Sequence, residues 1–117
     1  MVNISFQSSC IATVSFDSGK PSNLLSFSQM RDLTKIANDL KSNKKLAAVI
    51  LAGNINKNFS FGFDLRDKEL KKLNHSSQSV KREYFLIGKE MCDAWENLPF
   101  LTICLINGWC VGGGLAL

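Results

Sequence analysis

Little in this sequence invites a metal, a membrane or a nucleic acid. It has one histidine, His75, in the polar run Asn74-His75-Ser76-Ser77, with no neighbouring ligand. Its four cysteines, Cys10, Cys92, Cys104 and Cys110, form no CxxC pair and no other metal-ligand spacing, whereas a zinc site needs several converging donors. Three of them sit in or beside apolar segments, where a free cysteine serves as a small hydrophobe. They are expected to be reduced and structural, and no resident cofactor is expected. The longest apolar runs, Leu46 to Ala52 and Leu101 to Ile106, are too short to cross a bilayer. The opening Met1-Val2-Asn3-Ile4-Ser5-Phe6 lacks the basic and continuously apolar regions of a secretory signal. The expectation is therefore no membrane contact and a cytoplasmic protein. Basic residues interleaved with stacking aromatics, the mark of a nucleic-acid surface, are absent too. A net charge of +4 reads first as solvated helical faces. Its sharper reading is attraction for a phosphorylated ligand.

What is present describes an ordinary globular chain. Of 117 residues, 45% are apolar and 21% charged, too apolar for a disordered segment and enough for one domain. Val2 to Gln7 and Ile11 to Asp17 read as two strands separated by Ser8-Ser9-Cys10, a candidate hairpin. Gly19 to Asn23 is turn-like in composition. Ser26-Phe27-Ser28-Gln29 reads as a capping box, and behind it Met30, Leu33, Ile36, Ala37 and Leu40 recur on one helical face. Leu46 to Ala52 is continuously apolar over a strand's length, which predicts a strand buried on both faces of a parallel sheet. A second helix is expected to begin near Asp64, where an acid complements a helix N-terminus. A third, from Val80 to Leu98, keeps the helical period through Tyr84, Ile87, Met91 and Trp95 and is stopped by Pro99. Leu101 to Ile106 reads as another buried strand. Strands alternating with helices argue for an α/β architecture with right-handed crossovers.

Each apolar strand after the hairpin leads into a glycine-bearing loop, Phe59 to Leu65 and Asn107 to Gly114. Glycines allow unusual backbone angles and close approach of a ligand to main-chain N–H groups. Nucleotide fingerprints fail here. Gly112 and Gly114 are followed by Leu117 where GxGxxG needs a third glycine. Gly108 and Gly113 have the outer spacing of a P-loop, but Gly114-Leu115 replace its lysine and hydroxyl. Such glycines also serve simply as tight turns, and the phenylalanines of the first loop serve core packing as readily as ligand contact.

Two segments together resemble a known family. Ala48-Val49-Ile50-Leu51-Ala52-Gly53 with Phe59-Ser60-Phe61-Gly62-Phe63-Asp64-Leu65 is similar to the first oxyanion loop of the enoyl-CoA hydratase/isomerase (crotonase) superfamily. Leu98-Pro99 with Ile106-Asn107-Gly108-Trp109-Cys110-Val111-Gly112-Gly113-Gly114-Leu115 is similar to the second. The opening, Ile11 to Phe16 and then Lys20-Pro21-Ser22-Asn23-Leu24-Leu25-Ser26, resembles the family's N-terminal strand and Asn-containing turn. The resemblance implies a crotonase-like (ClpP/crotonase) spiral of ββα units, incomplete at the C-terminus, with residues 1–117 as the N-terminal part of one domain. It implies an acyl-CoA thioester as ligand, coenzyme A entering as part of the substrate and not as a cofactor. It also implies an enolate held by the backbone N–H groups of Phe61 and Gly113. Phe61, Gly62, Phe63, Asp64 and Gly113 would line the substrate groove, and longer relatives assemble as trimers or hexamers.

The resemblance has departures. Hydratases of the family carry a glutamate two residues after the third glycine of the second loop, and here that residue is Ala116. Alanine neither accepts nor delivers a proton, which favours isomerase or other non-hydratase chemistry. Phe61 and Phe63 stand where the family has small residues. A second reading stays open, a catalytically inactive acyl-CoA-binding fragment or assembly module. The 117-residue chain by itself is expected to be inactive.

Overall fold

The computed structural model describes residues 1–117. Four strands form one sheet in the order β1 (Val2–Phe6), β2 (Ile11–Phe16), β3 (Ala48–Ala52) and β4 (Leu101–Leu105). The expected hairpin is present: β1 and β2 are antiparallel, with Ile4 opposite Val14. The other pairings are parallel, Val14 opposite Leu51 and Leu51 opposite Cys104. Parallel neighbours need long crossovers, and these are helical: α1 (Phe27–Lys41) joins β2 to β3. The short α2 (Lys68–Lys72), a 3-10 turn over Leu73–His75, and the long α3 (Gln78–Glu96) join β3 to β4. A four-residue α4, Gly113–Ala116, follows the second glycine loop.

Local chemistry sets the helix boundaries. The Ser26 hydroxyl accepts from the Gln29 amide at 3.2 Å while the Gln29 side chain accepts from the Ser26 amide at 3.2 Å, the reciprocal box the sequence announces. The second helix starts at Lys68 and not near Asp64, because Asp67 is the better-placed cap. Its carboxylate accepts from the Glu69 amide of α2 at 2.9 Å and from the Phe27 amide of α1 at 2.9 Å. One acid thereby satisfies free N–H groups at two helix starts. Asp64 instead closes a local turn, accepting from the Arg66 amide at 3.0 Å. The third helix starts two residues before Val80, capped by Ser77.

The core lies between one face of the sheet and the helices α1 and α3. From the sheet come Ala12, Val14, Phe16, Val49 and Leu51; from the helices come Met30, Leu33, Ala37, Leu40, Met91 and Trp95. Each large side chain buried there contributes about 1.5–3 kcal/mol. Phe16 and Phe59 stack edge-to-face with ring centres 5.3 Å apart, which ties the first glycine loop to the core.

This arrangement corrects the burial expected for the last two strands. In β3 only Val49 and Leu51 are buried, alternating with half-buried Ala48, Ile50 and Ala52, and all five residues of β4 are exposed. Both helices cover the same face, so nothing in these 117 residues lies on the other. As the edge strand, β4 is left open on both.

The connection after β2 turns on Asn23, which is fully buried and has a positive φ of 43°. Its side-chain amide donates to the carbonyls of Phe16 at 3.1 Å and Phe59 at 2.8 Å, and its side-chain oxygen accepts from the Ser18 amide at 2.8 Å. Removing it orphans three backbone groups and places a residue with a Cβ and no local bonding in the left-handed region. Asn23→Ala is therefore expected to lower the unfolding free energy by about 3 kcal/mol or more, measured by urea titration. Asn23→Asp should cost nearly as much, since it keeps the acceptor and loses both donors.

Candidate active site: two glycine loops in backbone contact

The two loops prolong the parallel pairing of β3 and β4 beyond the strands. The Phe59 amide donates to the Asn107 carbonyl at 2.8 Å, Ser60 to Trp109 at 3.1 Å, and Val111 back to Ser60 at 3.0 Å. Side-chain amides reinforce the contact: Asn107 Nδ2 donates to the Lys57 carbonyl at 2.7 Å and the Asn54 carbonyl at 2.9 Å, and the Trp109 amide donates to Asn58 Oδ1 at 2.9 Å. On its other side the first loop pairs with the turn after β2, through Phe61 to the Ser22 carbonyl at 3.0 Å, Leu25 to Gly62 at 2.8 Å and Asp64 to Leu25 at 2.9 Å.

Ser60 sits at the centre of this arrangement and is fully buried. Its hydroxyl donates to the Asn23 carbonyl at 2.8 Å and accepts from the Gly62 amide at 3.0 Å. A hydroxyl used in both directions here satisfies a buried acceptor and a buried donor at once.

Glycine is required where the loops touch. Gly62 has φ of +97°, and a Cβ there would lie 2.9 Å from the Gly113 nitrogen and 3.2 Å from the Val111 oxygen. Gly112 has φ of +55°, and a Cβ on Gly114 would lie 2.6 Å from Ser60 Cβ. Main chain therefore packs directly on main chain, and the amides of one loop reach the border of the other.

The hydrogen-bond pattern identifies which amides are free. From Phe59 to Asp64, five of six N–H groups are used: Phe59 and Ser60 toward the second loop, Phe61 and Asp64 toward the turn after β2, Gly62 on Ser60. Phe63 alone has no acceptor in the chain. In the second loop Trp109, Val111 and Gly114 donate within the chain, while the amides of Asn107, Gly108, Cys110, Gly112 and Gly113 are free; Gly113 is the one whose nitrogen borders Gly62. The structure thus brings together the segments that carry Phe61, Gly62, Phe63, Asp64 and Gly113. It does not leave the Phe61 amide available to a ligand, because the Ser22 carbonyl occupies it. The free amide two residues on was missed in the sequence, since no local motif reports which carbonyl a remote turn will present.

Beside Phe63 lies an apolar cavity of about 210 Å³ bordered by α1, α3 and the segment from Phe63 to Leu65. Its outer flank is held by Arg31 of α1, whose guanidinium donates to both carboxylate oxygens of Glu69 in α2 at 2.9 and 2.8 Å. It also stands over the Tyr84 ring, 5.7 Å from its centre. The guanidinium's hydrogen bonds hold the Glu69 carboxyl below its ordinary range, and the pairing raises Arg31 in turn. Burial pushes the thiols of Cys92 and Cys110 up, so neither is an activated nucleophile. All four cysteines are free, and no cluster of residues could hold a metal ion. No helix is long and apolar enough to cross a membrane. Ala116 lies in α4 and lines a separate hollow with Cys92, Trp95 and Thr102.

At the far end of the loops, Asp17 accepts from the Gly19 amide at 2.8 Å and from Asn54 Nδ2 at 2.5 Å, with the Lys57 ammonium 3.7 Å away. The Gly19 and Asn54 bonds chiefly hold its pKa below the usual 3.8. A carboxyl with a lowered folded pKa adds stability that is fully present above its unfolded value and is lost as pH falls through the lowered one. The stability difference between the protein and Asp17→Asn should accordingly shrink between about pH 5 and pH 2, as read from denaturation midpoints. A constant difference would remove Asp17 from this role.

The family model described as enoyl-CoA hydratase/isomerase matches residues 6–117. YngF of Bacillus subtilis, named as an enoyl-CoA hydratase/isomerase, is 29% identical over 107 residues, which take in 92% of this chain and 39% of that protein. The short-chain-enoyl-CoA hydratase of Clostridium acetobutylicum is 26% identical over 104 residues, 89% of this chain and 38% of that protein. The crystal structure of an enoyl-CoA hydratase/carnithine racemase from Magnetospirillum magneticum superposes with a TM-score of 0.84 at 27% identity, over 97% of this chain and 41% of that one. The chain spans about two fifths of the length of these relatives.

Proposed function

Because the chain belongs to the enoyl-CoA hydratase/isomerase family and has its crotonase fold, we propose that its two glycine loops bind the thioester carbonyl of an acyl-CoA and stabilise an enolate oxygen between the N–H groups of Phe63 and Gly113. One observation carries this reading. These are free amides on two loops held in direct backbone contact.

The physical case is one of preorganisation. A thioester enolate places negative charge on one oxygen, and fixed donors aimed at the developing charge lower its energy without reorganising during the reaction. Here the Phe63 donor belongs to a stretch, Phe59 to Asp64, whose other amides are all bonded. Gly113 belongs to a loop held against it by the bonds of Asn107, Trp109 and Val111. Phe61, Gly62 and Asp64 contribute by holding the chain that presents Phe63, through the bonds to Ser22, Ser60 and Leu25.

Proton transfer to or from the enolate needs an acid or base within hydrogen-bond reach. At Ala116 the chain has no such group, which favours double-bond migration or another non-hydratase reaction over two-carboxylate hydration. Asp64 is the one carboxylate lining the cavity beside Phe63. A second reading, an acyl-CoA-binding module without turnover, rests on the same amides and the same missing carboxylate.

Acetoacetyl-CoA tests the amide pair, because its enolate absorbs in the near ultraviolet and its ionisation reports stabilisation of the oxyanion directly. Binding to the protein is expected to lower the pH at which the enolate forms. Gly113→Ala and Gly113→Pro both add a Cβ against the Phe63 ring, but only proline removes the N–H, and proline is tolerated at a first helical position. The proline variant should stabilise the enolate roughly a hundredfold less than the alanine variant. Equal enolate formation in the two would exclude the Gly113 amide as a donor.

A further inference from the structure

Phe63 is one of three exposed aromatics on the loops, with Phe61 at 42% and Trp109 at 64%, and the one of them that lines the apolar cavity. Phe16 and Phe59 are wholly buried, whereas Phe63 is 40% exposed. Its ring nevertheless has a defined seat between two glycines on different elements. A Cβ on Gly88 of α3 would lie 2.9 Å from its Cζ, and a Cβ on Gly113 would lie 2.4 Å from its Cε1. The ring fills the space that a side chain at either position would take. One of its sides forms part of the wall of the 210 Å³ cavity, with Leu25, Phe27, Met30, Tyr84 and Phe85. The same residue therefore carries a free amide on its backbone and a wall of the apolar cavity on its side chain.

We propose that the Phe63 ring determines acyl-chain specificity, setting how far an apolar chain attached at the amide pair extends into the cavity. This deepens the acyl-CoA reading and rests on it. A thioester carbonyl at the Phe63 amide has its acyl group within one side chain's length of the cavity, and the ring stands between them. The lining is apolar apart from Asp64, which suits a hydrocarbon and not a sugar or nucleotide. An apolar cavity of about 150 Å³ takes up benzene, so about 210 Å³ suits a chain of roughly six to eight carbons. Phe61 is equally exposed but does not line this cavity, so it is the seat and not the exposure that sets Phe63 apart. Phe63 is held half-exposed at the cavity border by two residues that have no side chains. Gly88 is thus a positioning residue, leaving the gap that the ring occupies.

The test compares butyryl-, octanoyl- and dodecanoyl-CoA binding by calorimetry to the full chain and to Phe63→Leu, Phe63→Ala and Gly88→Ala. Each further methylene admitted is worth roughly fourfold in affinity. The ratio of dodecanoyl to butyryl affinity is expected to rise roughly tenfold or more in Phe63→Ala, by less in Phe63→Leu, and to fall in Gly88→Ala, where the ring is pushed toward the ligand. Ratios unchanged in folded variants that still bind butyryl-CoA would overturn the role of Phe63 and leave the acyl-CoA reading standing. Octan-1-ol, followed through the amide resonances of Phe63 and Gly88, separates the converse case. If no thioester binds, yet octanol perturbs these amides and does so more strongly in Phe63→Ala, the thioester reading falls and the ring's control of the cavity stands. No thioester and no octanol binding would overturn both.

Discussion

The carboxamide of Asn23 is the constraint on which the rest of this architecture depends. Three pieces of main chain meet around it: the end of β2 at Phe16, the turn at Ser18 and the first glycine loop at Phe59. The Phe16 and Phe59 carbonyls and the Ser18 amide have no backbone partner of their own, so these buried polar groups depend on a side chain. Asn23 supplies donors and acceptor from one short side chain, and its own carbonyl then receives the Ser60 hydroxyl. Ser60 in turn fixes Gly62, and Gly62 lies against Gly113. The line from a buried asparagine to the two free amides runs through only Ser60 and Gly62.

Satisfaction is also what singles out the free amides. A loop ligated this completely has few unpaired donors, and those that persist are set by the geometry of its neighbours and not by residue type. Phe61 and Phe63 are the same amino acid, two positions apart, on the same loop. One donates to Ser22 and the other to nothing. Main-chain donors are indifferent to side-chain size, so a bulky ring at position 63 is compatible with a free amide there. The ring's bulk constrains the surroundings instead, at Gly88 and Gly113, where any side chain would collide with it.

Much of this was legible in the residues. The hairpin, the Ser26–Gln29 box, the face of α1 and the stop at Pro99 follow from local chemistry, and local chemistry is what a sequence displays. The two glycine loops were legible as a candidate site because they stand in the order of the family they resemble. What escaped was decided at a distance. Asp67 was passed over as a cap because its second partner, Phe27, is 40 positions away. The burial of β3 and β4 was overstated because apolar composition says how much burial a strand tolerates, not whether a layer is present on each side. Motif position points to the Phe61 amide as a donor, but the carbonyl that occupies it, Ser22, lies in a different turn that the motif does not report.

The contact between the glycine loops also bears on the order of events during folding. Asn107 reaches back 50 to 53 positions to Lys57 and Asn54, and the bonds from Phe59 and Ser60 cross a similar separation. Contacts so distant along the chain incur loop-closure entropy before they return any stability. The hairpin and α1 can form from their own neighbourhoods, but the paired loops must wait until α3 has returned the chain to the sheet and β4 has docked on β3. The amide pair is thus a late product of folding, and a population of molecules with normal helix content need not have a formed site.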